Sequence, residues 1–165
     1  MYIIQQLNQM DRLAFTLALG TVFEDTPEIV NQTWDKLPVL TVEQLYKNLL
    51  DTVDAMSFDR KHKLICAHPS LGDRIKMAEA SVREQSSIGL DSLSSEEYNL
   101  FQSLNHAYRQ RFGFPFIIAV RNHTKTSILE AFKTRLQNSL DLELNRAIAE
   151  IKEIARFRLY DLVIS

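Results

Sequence analysis

Residues 66–74 read Cys-Ala-His-Pro-Ser-Leu-Gly-Asp-Arg, placing the only cysteine of this 165-residue chain two positions before a His-Pro pair. The imidazole of His68 titrates near neutrality and suits acid, base or ligand work. Pro69 disfavours the α region at the residue before it, so a helix arriving from Phe58 must stop here. Two uses of His68 are open: a cation favoured by the helix dipole at a C-terminus, or a proton carrier facing a cleft. The second group is Ser81, Val82, Arg83, Glu84 and Gln85. Serine three residues before glutamate has capping-box form, so Glu84 can close onto the backbone of Ser81. The same helix start presents free N–H groups that, with Ser81 and Gln85, suit a small anionic ligand. The third group is the apolar run Ile117, Ile118, Ala119, Val120, which ends on Arg121. Arg121 is either a loop arginine at the surface or a guanidinium on a pocket rim, gripping a carboxylate with two parallel bonds. The preceding Gly-Phe-Pro-Phe would supply that pocket's turn and aromatic wall.

Other pairings carry less. Cys66 and His68 lie two apart, so their side chains diverge on a helix and a thiol–imidazole nucleophile is disfavoured. Cys66 is read instead as a buried structural thiol. His62, His106 and His123 have no metal-site spacing, so no metal is expected.

The elements that must hold these groups read as helices. Thr26 precedes Pro27 and Glu28, a cap followed by proline in the first helical turn. Residues 41–44, Thr-Val-Glu-Gln, have capping-box form before a periodic stretch through Leu45, Leu49, Leu50 and Val53. Residues 94–97, Ser-Ser-Glu-Glu, repeat the signal before a face of Leu100, Leu104, Ala107, Tyr108 and Phe112. Two more amphipathic helices follow, at 128–136 and 142–163. Only 116–120, Phe-Ile-Ile-Ala-Val, has strand character, and a lone strand is not stable. It is read as a buried loop or a helix start. The expected fold is all-α: one compact domain, 1–165, of roughly seven or eight helices of usual length.

Composition narrows the function classes. Hydrophobic residues make up 45% and charged residues 24%, with a formal net charge of −2. That is the composition of a globular chain, and it argues against a nucleic-acid binder relying on overall positive charge. One cysteine excludes an intrachain disulfide. No apolar run reaches the roughly 20 residues needed to cross a bilayer, and no signal-peptide or peroxisomal pattern is present. A cytoplasmic protein is expected.

Taken together and in order, the motifs resemble one family almost end to end, the 2-oxo-4-hydroxy-4-carboxy-5-ureidoimidazoline (OHCU) decarboxylases of urate degradation. The similarity runs through residues 19–34, 64–74, 81–121, 128–139 and 147–162. The family's His-Pro motif falls on His68 and Pro69, its Ser-x-x-Glu-Gln motif on Ser81, Glu84 and Gln85, and its Phe-Gly-Phe-Pro-Phe segment on Phe112–Phe116. Two departures stand out: Ser70 replaces a common aspartate, and Val82 replaces a common threonine hydroxyl. The resemblance implies that His68 is the catalytic acid/base with Glu84 as its partner. It further implies that Pro69, Ser81–Gln85 and Ile117–Arg121 line the substrate site, and that the protein is a homodimer. The substrate carries its own electron sink, a C=N bond beside the carbon that loses CO2, so no cofactor is required. The implied partner is the small-molecule substrate, with no nucleic acid or membrane. The competing reading is a non-catalytic helical domain that binds or regulates on the same scaffold.

Overall fold

Local capping chemistry sets most of the helix starts. The computed structural model describes residues 1–71 and 93–164, among which are eight α-helices and one two-stranded parallel sheet. The helices are α1 (Ile4–Gln9), α2 (Arg12–Leu19), α3 (Glu28–Thr33), α4 (Val42–Asp54), α5 (Phe58–Ala67), α6 (Ser95–Phe112), α7 (Lys125–Arg135) and α8 (Leu140–Leu162). The fold is all-α, as expected. The sheet is an addition: β1 (Tyr2–Ile3) pairs with β2 (Val163–Ile164), Tyr2 opposite Val163 and Ile3 opposite Ile164. Two-residue strands are too short to show a period-two pattern.

Residues 94–97 form the full box expected of them. The Ser94 hydroxyl accepts from the Glu97 amide and the Glu97 carboxylate accepts from the Ser94 amide, each at 3.1 Å. Residues 41–44 form half of theirs. Thr41 accepts from the Gln44 amide at 3.1 Å, but the Gln44 side chain accepts from Leu40 at 2.8 Å. Thr26 does not cap α3; its hydroxyl donates to the Glu24 carbonyl at 2.7 Å. Pro27 is itself in helical conformation at φ −66° and ψ −15°.

The chain forms two compact units. The first comprises Met1–Ala67 with Lys152–Ser165. Phe15, Leu19, Ile29, Val30, Leu45, Leu49 and Leu64 are buried in it. So is the Glu24–Arg158 ion pair at 3.0 Å.

The second unit, His68–Ile151, carries the described residues predicted for the site, His68, Pro69 and Ile117–Arg121. Its aromatic core is continuous: Tyr108 lies 5.2 Å from Phe116 edge-on, and Phe116 stacks on Phe132 at 3.7 Å. The buried face of α6 is Phe101, Asn105, Tyr108 and Phe112. This shifts the expected stripe by about one residue: Leu100 and Ala107 are exposed and Leu104 is half-buried, while Tyr108 and Phe112 hold their places. Helix α6 ends at Gly113, whose φ of +79° is the left-handed cap that glycine adopts without steric cost.

Candidate active site

His68 is the first residue beyond α5, where Pro69 stops the helix, and it is buried at 6% exposure. A histidine on an open helix terminus would stay in water, and His68 does not. Pro69 and Ser70 are half-buried and Leu71 is buried. The turn is tied down from across the unit: the Asn105 side-chain amide donates to the Leu71 carbonyl at 2.7 Å. That bond sets the amide's orientation, because a carbonyl needs a donor. The Asn105 oxygen then faces away, buried and without a hydrogen-bond partner among the described residues.

Ile117–Val120 run as buried chain with no regular structure until a 3-10 turn at Val120–Asn122. Of the two forms expected for 116–120, a buried loop or a helix start, the structure shows the buried loop. Arg121, in that turn, is exposed. The aromatic residues before it differ from expectation. Phe114 and Phe116 are core residues at 0% and 2% exposure, packed on Tyr108, rather than the wall of an open pocket.

A buried polar cluster holds this segment. Arg135 donates from Nη1 to the Ile117 carbonyl at 2.6 Å and from Nε to Glu143 at 2.8 Å. Tyr108 donates its hydroxyl to the same Glu143 oxygen at 2.6 Å, and Asn138 donates to the other oxygen at 2.9 Å. Burial and the bond to Glu143 push the Tyr108 phenol well above its ordinary value. The Arg135 guanidinium also lies over the Phe116 ring, 4.3 Å from its centroid.

The two predicted segments therefore share a support. Asn105 and Tyr108 are three apart on α6 and so occupy one face of it. Asn105 anchors the turn that follows His68, while Tyr108 anchors the cluster that holds Ile117. Neither Asn105 nor Arg135 stands out by residue type in sequence. The signal available was positional: Arg135 follows Ile128 and Phe132 in a buried helical stripe, where an apolar residue is the usual occupant.

Ser81, Val82, Arg83, Glu84 and Gln85 lie outside the described residues. Cys66 corrects an expectation: its thiol is exposed, with Sγ 3.7 Å from Nδ1 of His62 one turn earlier. Helix α5 buries Leu64 and Ile65 instead, leaving position 66 on the outer face. A cavity of about 410 Å³ in the first unit is lined by Cys66 with Arg60, Lys63 and Asp25, and by none of the described residues predicted for the site. Among the described residues, no three His, Cys, Asp or Glu side chains converge as a metal site, and no helix is long and apolar enough to cross a membrane.

Residues 8–160 match the family model described as OHCU decarboxylase. A 2-oxo-4-hydroxy-4-carboxy-5-ureidoimidazoline decarboxylase of Halalkalicoccus jeotgali is 37% identical over 98% of this chain and 92% of its own length. The uric acid degradation bifunctional protein PucL of Bacillus subtilis is 39% identical over 99% of this chain, which spans 33% of that protein. Among solved structures, (S)-allantoin synthase superposes with a TM-score of 0.81 at 29% identity, covering 98% of this chain and 54% of that one. An OHCU decarboxylase crystallised in the presence of (S)-allantoin shares the fold at a TM-score of 0.72 and 23% identity, covering 93% of this chain and 98% of that one.

Proposed function

The chain belongs to the OHCU decarboxylase family, and from that premise we propose that it converts 2-oxo-4-hydroxy-4-carboxy-5-ureidoimidazoline to (S)-allantoin in urate degradation. The reaction is a decarboxylation. The bond from the ring carbon to the carboxylate breaks, and CO2 leaves. The electron pair forms a ring C=C bond as the adjacent C=N pair moves onto nitrogen, which takes a proton. The 4-hydroxyl then gives up its proton to become a carbonyl, while a proton adds to one face of the neighbouring carbon. That last step sets the handedness of the product.

His68 moves these protons and Glu84 orients it or shares the transfer. General acid–base assistance of this kind is worth about 10²–10⁴-fold. Pro69, Ser81, Val82, Arg83, Glu84, Gln85 and Ile117–Arg121 hold the substrate, with Arg121 as the cationic partner of its carboxylate. The observation that carries this reading is a shared support on α6: Asn105 bonds to the turn after His68, and Tyr108, on the same face, bonds to Glu143, which braces the Arg135 that holds Ile117. Such support keeps an acid/base and a substrate-holding segment in register, as preorganised catalysis requires. The enzyme works in the cytoplasm, a reducing compartment that suits the exposed, unbridged Cys66. It works as a homodimer, a state that light scattering will check.

The test is chiral. Urate is oxidised by urate oxidase, the hydroxyisourate formed is hydrolysed by hydroxyisourate hydrolase, and circular dichroism of the accumulating allantoin is followed with and without this protein. A circular dichroism signal from a single enantiomer of allantoin should appear at once with the protein and be absent without it. Racemic product at the spontaneous rate in both would refute the proposal.

A further inference from the structure

Segment 115–119 has no helix or strand, so its backbone groups need partners from elsewhere, and Arg135 supplies one. Stability alone gives little reason for an arginine there. Its side chain is 5% exposed and that of its partner Glu143 is 0% exposed, so both charges have left water. Replacing such a pair by apolar residues of similar volume is often neutral or stabilising, because desolvation offsets the Coulomb gain. The guanidinium also keeps its third nitrogen, Nη2, buried with no hydrogen-bond partner among the described residues. An apolar side chain would remove that cost as well. What an apolar side chain cannot do is donate to the Ile117 carbonyl while facing a carboxylate and lying flat over Phe116. The planar fork of arginine does all three, and a lysine ammonium would not.

We propose that Arg135 is a positioning residue of the decarboxylase: braced by Glu143 and Tyr108, it holds the carbonyl of Ile117 and thereby pre-sets segment 117–121 for substrate. The inference rests on the assignment of that segment to substrate binding. It acts through the backbone, and its effect is on binding more than on proton transfer. Without the brace, the start of the segment is ordered only when substrate arrives, and fixing even one residue's backbone then consumes binding energy. The expected consequence is a KM raised about tenfold or more, with kcat lowered less.

The test replaces the cluster rather than breaking it. In the triple variant Arg135→Met, Glu143→Leu, Tyr108→Phe, the buried charges and the phenol leave together, and the half-buried Asn138 can turn to water. Arg135→Lys is measured beside it; it keeps a charge against Glu143 but loses the fork. Wild-type production of (S)-allantoin is established first, and its absence would remove the functional assignment without bearing on the brace. Given an active wild type, the triple variant should melt at or near the wild-type temperature while its KM rises at least tenfold. Arg135→Lys should raise KM in the same direction. A folded triple variant with wild-type KM would show the cluster to be structural only and overturn the proposal. If the triple variant does not fold, Arg135→Lys decides alone: a raised KM with kcat little changed supports the positioning role, and wild-type kinetics overturn it.

Discussion

Replacing Asn105 by leucine separates the stability of the second unit from the placement of His68. The substitution removes the 2.7 Å bond from the Asn105 amide to the Leu71 carbonyl. A buried carbonyl left without its donor costs about 1–3 kcal/mol. The same change removes the Asn105 oxygen, which is buried with no partner among the described residues and carries a desolvation penalty of about the same 1–3 kcal/mol. The two effects oppose each other, so unfolding free energy should stay within about 2 kcal/mol of wild type. Activity has no such compensation. His68 lies three residues before the released carbonyl, and a misplacement of about 1 Å in a reacting group can cost on the order of 100-fold. Asn105→Leu is therefore expected to melt near the wild-type temperature, read by far-ultraviolet circular dichroism, and to form (S)-allantoin some 10–100-fold more slowly at saturating substrate. A folded variant with wild-type turnover would refute the tether. A loss of more than about 4 kcal/mol of stability would refute the cancellation and make Asn105 chiefly a core brace.

Three further outcomes are expected. His68→Asn should retain helical content and stop enantioselective turnover, Glu84→Gln should lower it, and the double variant should be little worse than the worse single, because residues acting as a unit are not additive; additive losses would return Glu84 to a capping role. Arg121→Lys should raise KM roughly tenfold, since a point charge cannot replace the bidentate fork, and unchanged kinetics would place the carboxylate elsewhere. The Tyr108 phenol is held above its ordinary value of 10.0 by burial and then by Glu143, so the folded chain keeps a proton that the unfolded chain releases. Its contribution is fully present below about pH 10 and declines as pH rises beyond that, so Tyr108→Phe should flatten the alkaline fall in urea-measured stability; an unchanged slope would contradict the assignment.

The parts of this molecule that could be read in the sequence are those whose physics is local. The box at Ser94 and Glu97, the stop at Pro69 and the buried, irregular run 116–120 each depend on residues within a few positions of one another. The motifs proposed to carry chemistry, His68-Pro69 and Ile117–Arg121, are local in the same sense, each being contiguous. Cys66 was misread because a thiol's usual burial was set above the phase of its own helix, which buries Leu64 and Ile65. The stripe of α6 was misread by a related fault: apolar residues were counted toward the core, and Asn105 was not.

The long-range bonds that tie these segments together were missed on the same account. Arg135 reaches back 18 positions to Ile117, Asn105 reaches back 34 to Leu71, and Tyr108 reaches forward 35 to Glu143. No spacing rule connects such pairs, yet each sits in a helical stripe otherwise filled by Phe101, Phe112, Ile128, Phe132 and Ala147. Burying a polar group costs free energy unless it is bonded, so a polar residue in an apolar stripe implies a partner brought in from elsewhere in the chain. Here those partners are the backbone carbonyls of the two segments assigned to catalysis and substrate binding, together with the carboxylate that braces one of them. The irregular positions in the helical pattern therefore mark residues that bond to the turn after His68 and to the start of segment 117–121. That division explains why variants at Asn105 and Arg135 should alter turnover and substrate binding separately: each acts on one segment, through one backbone carbonyl.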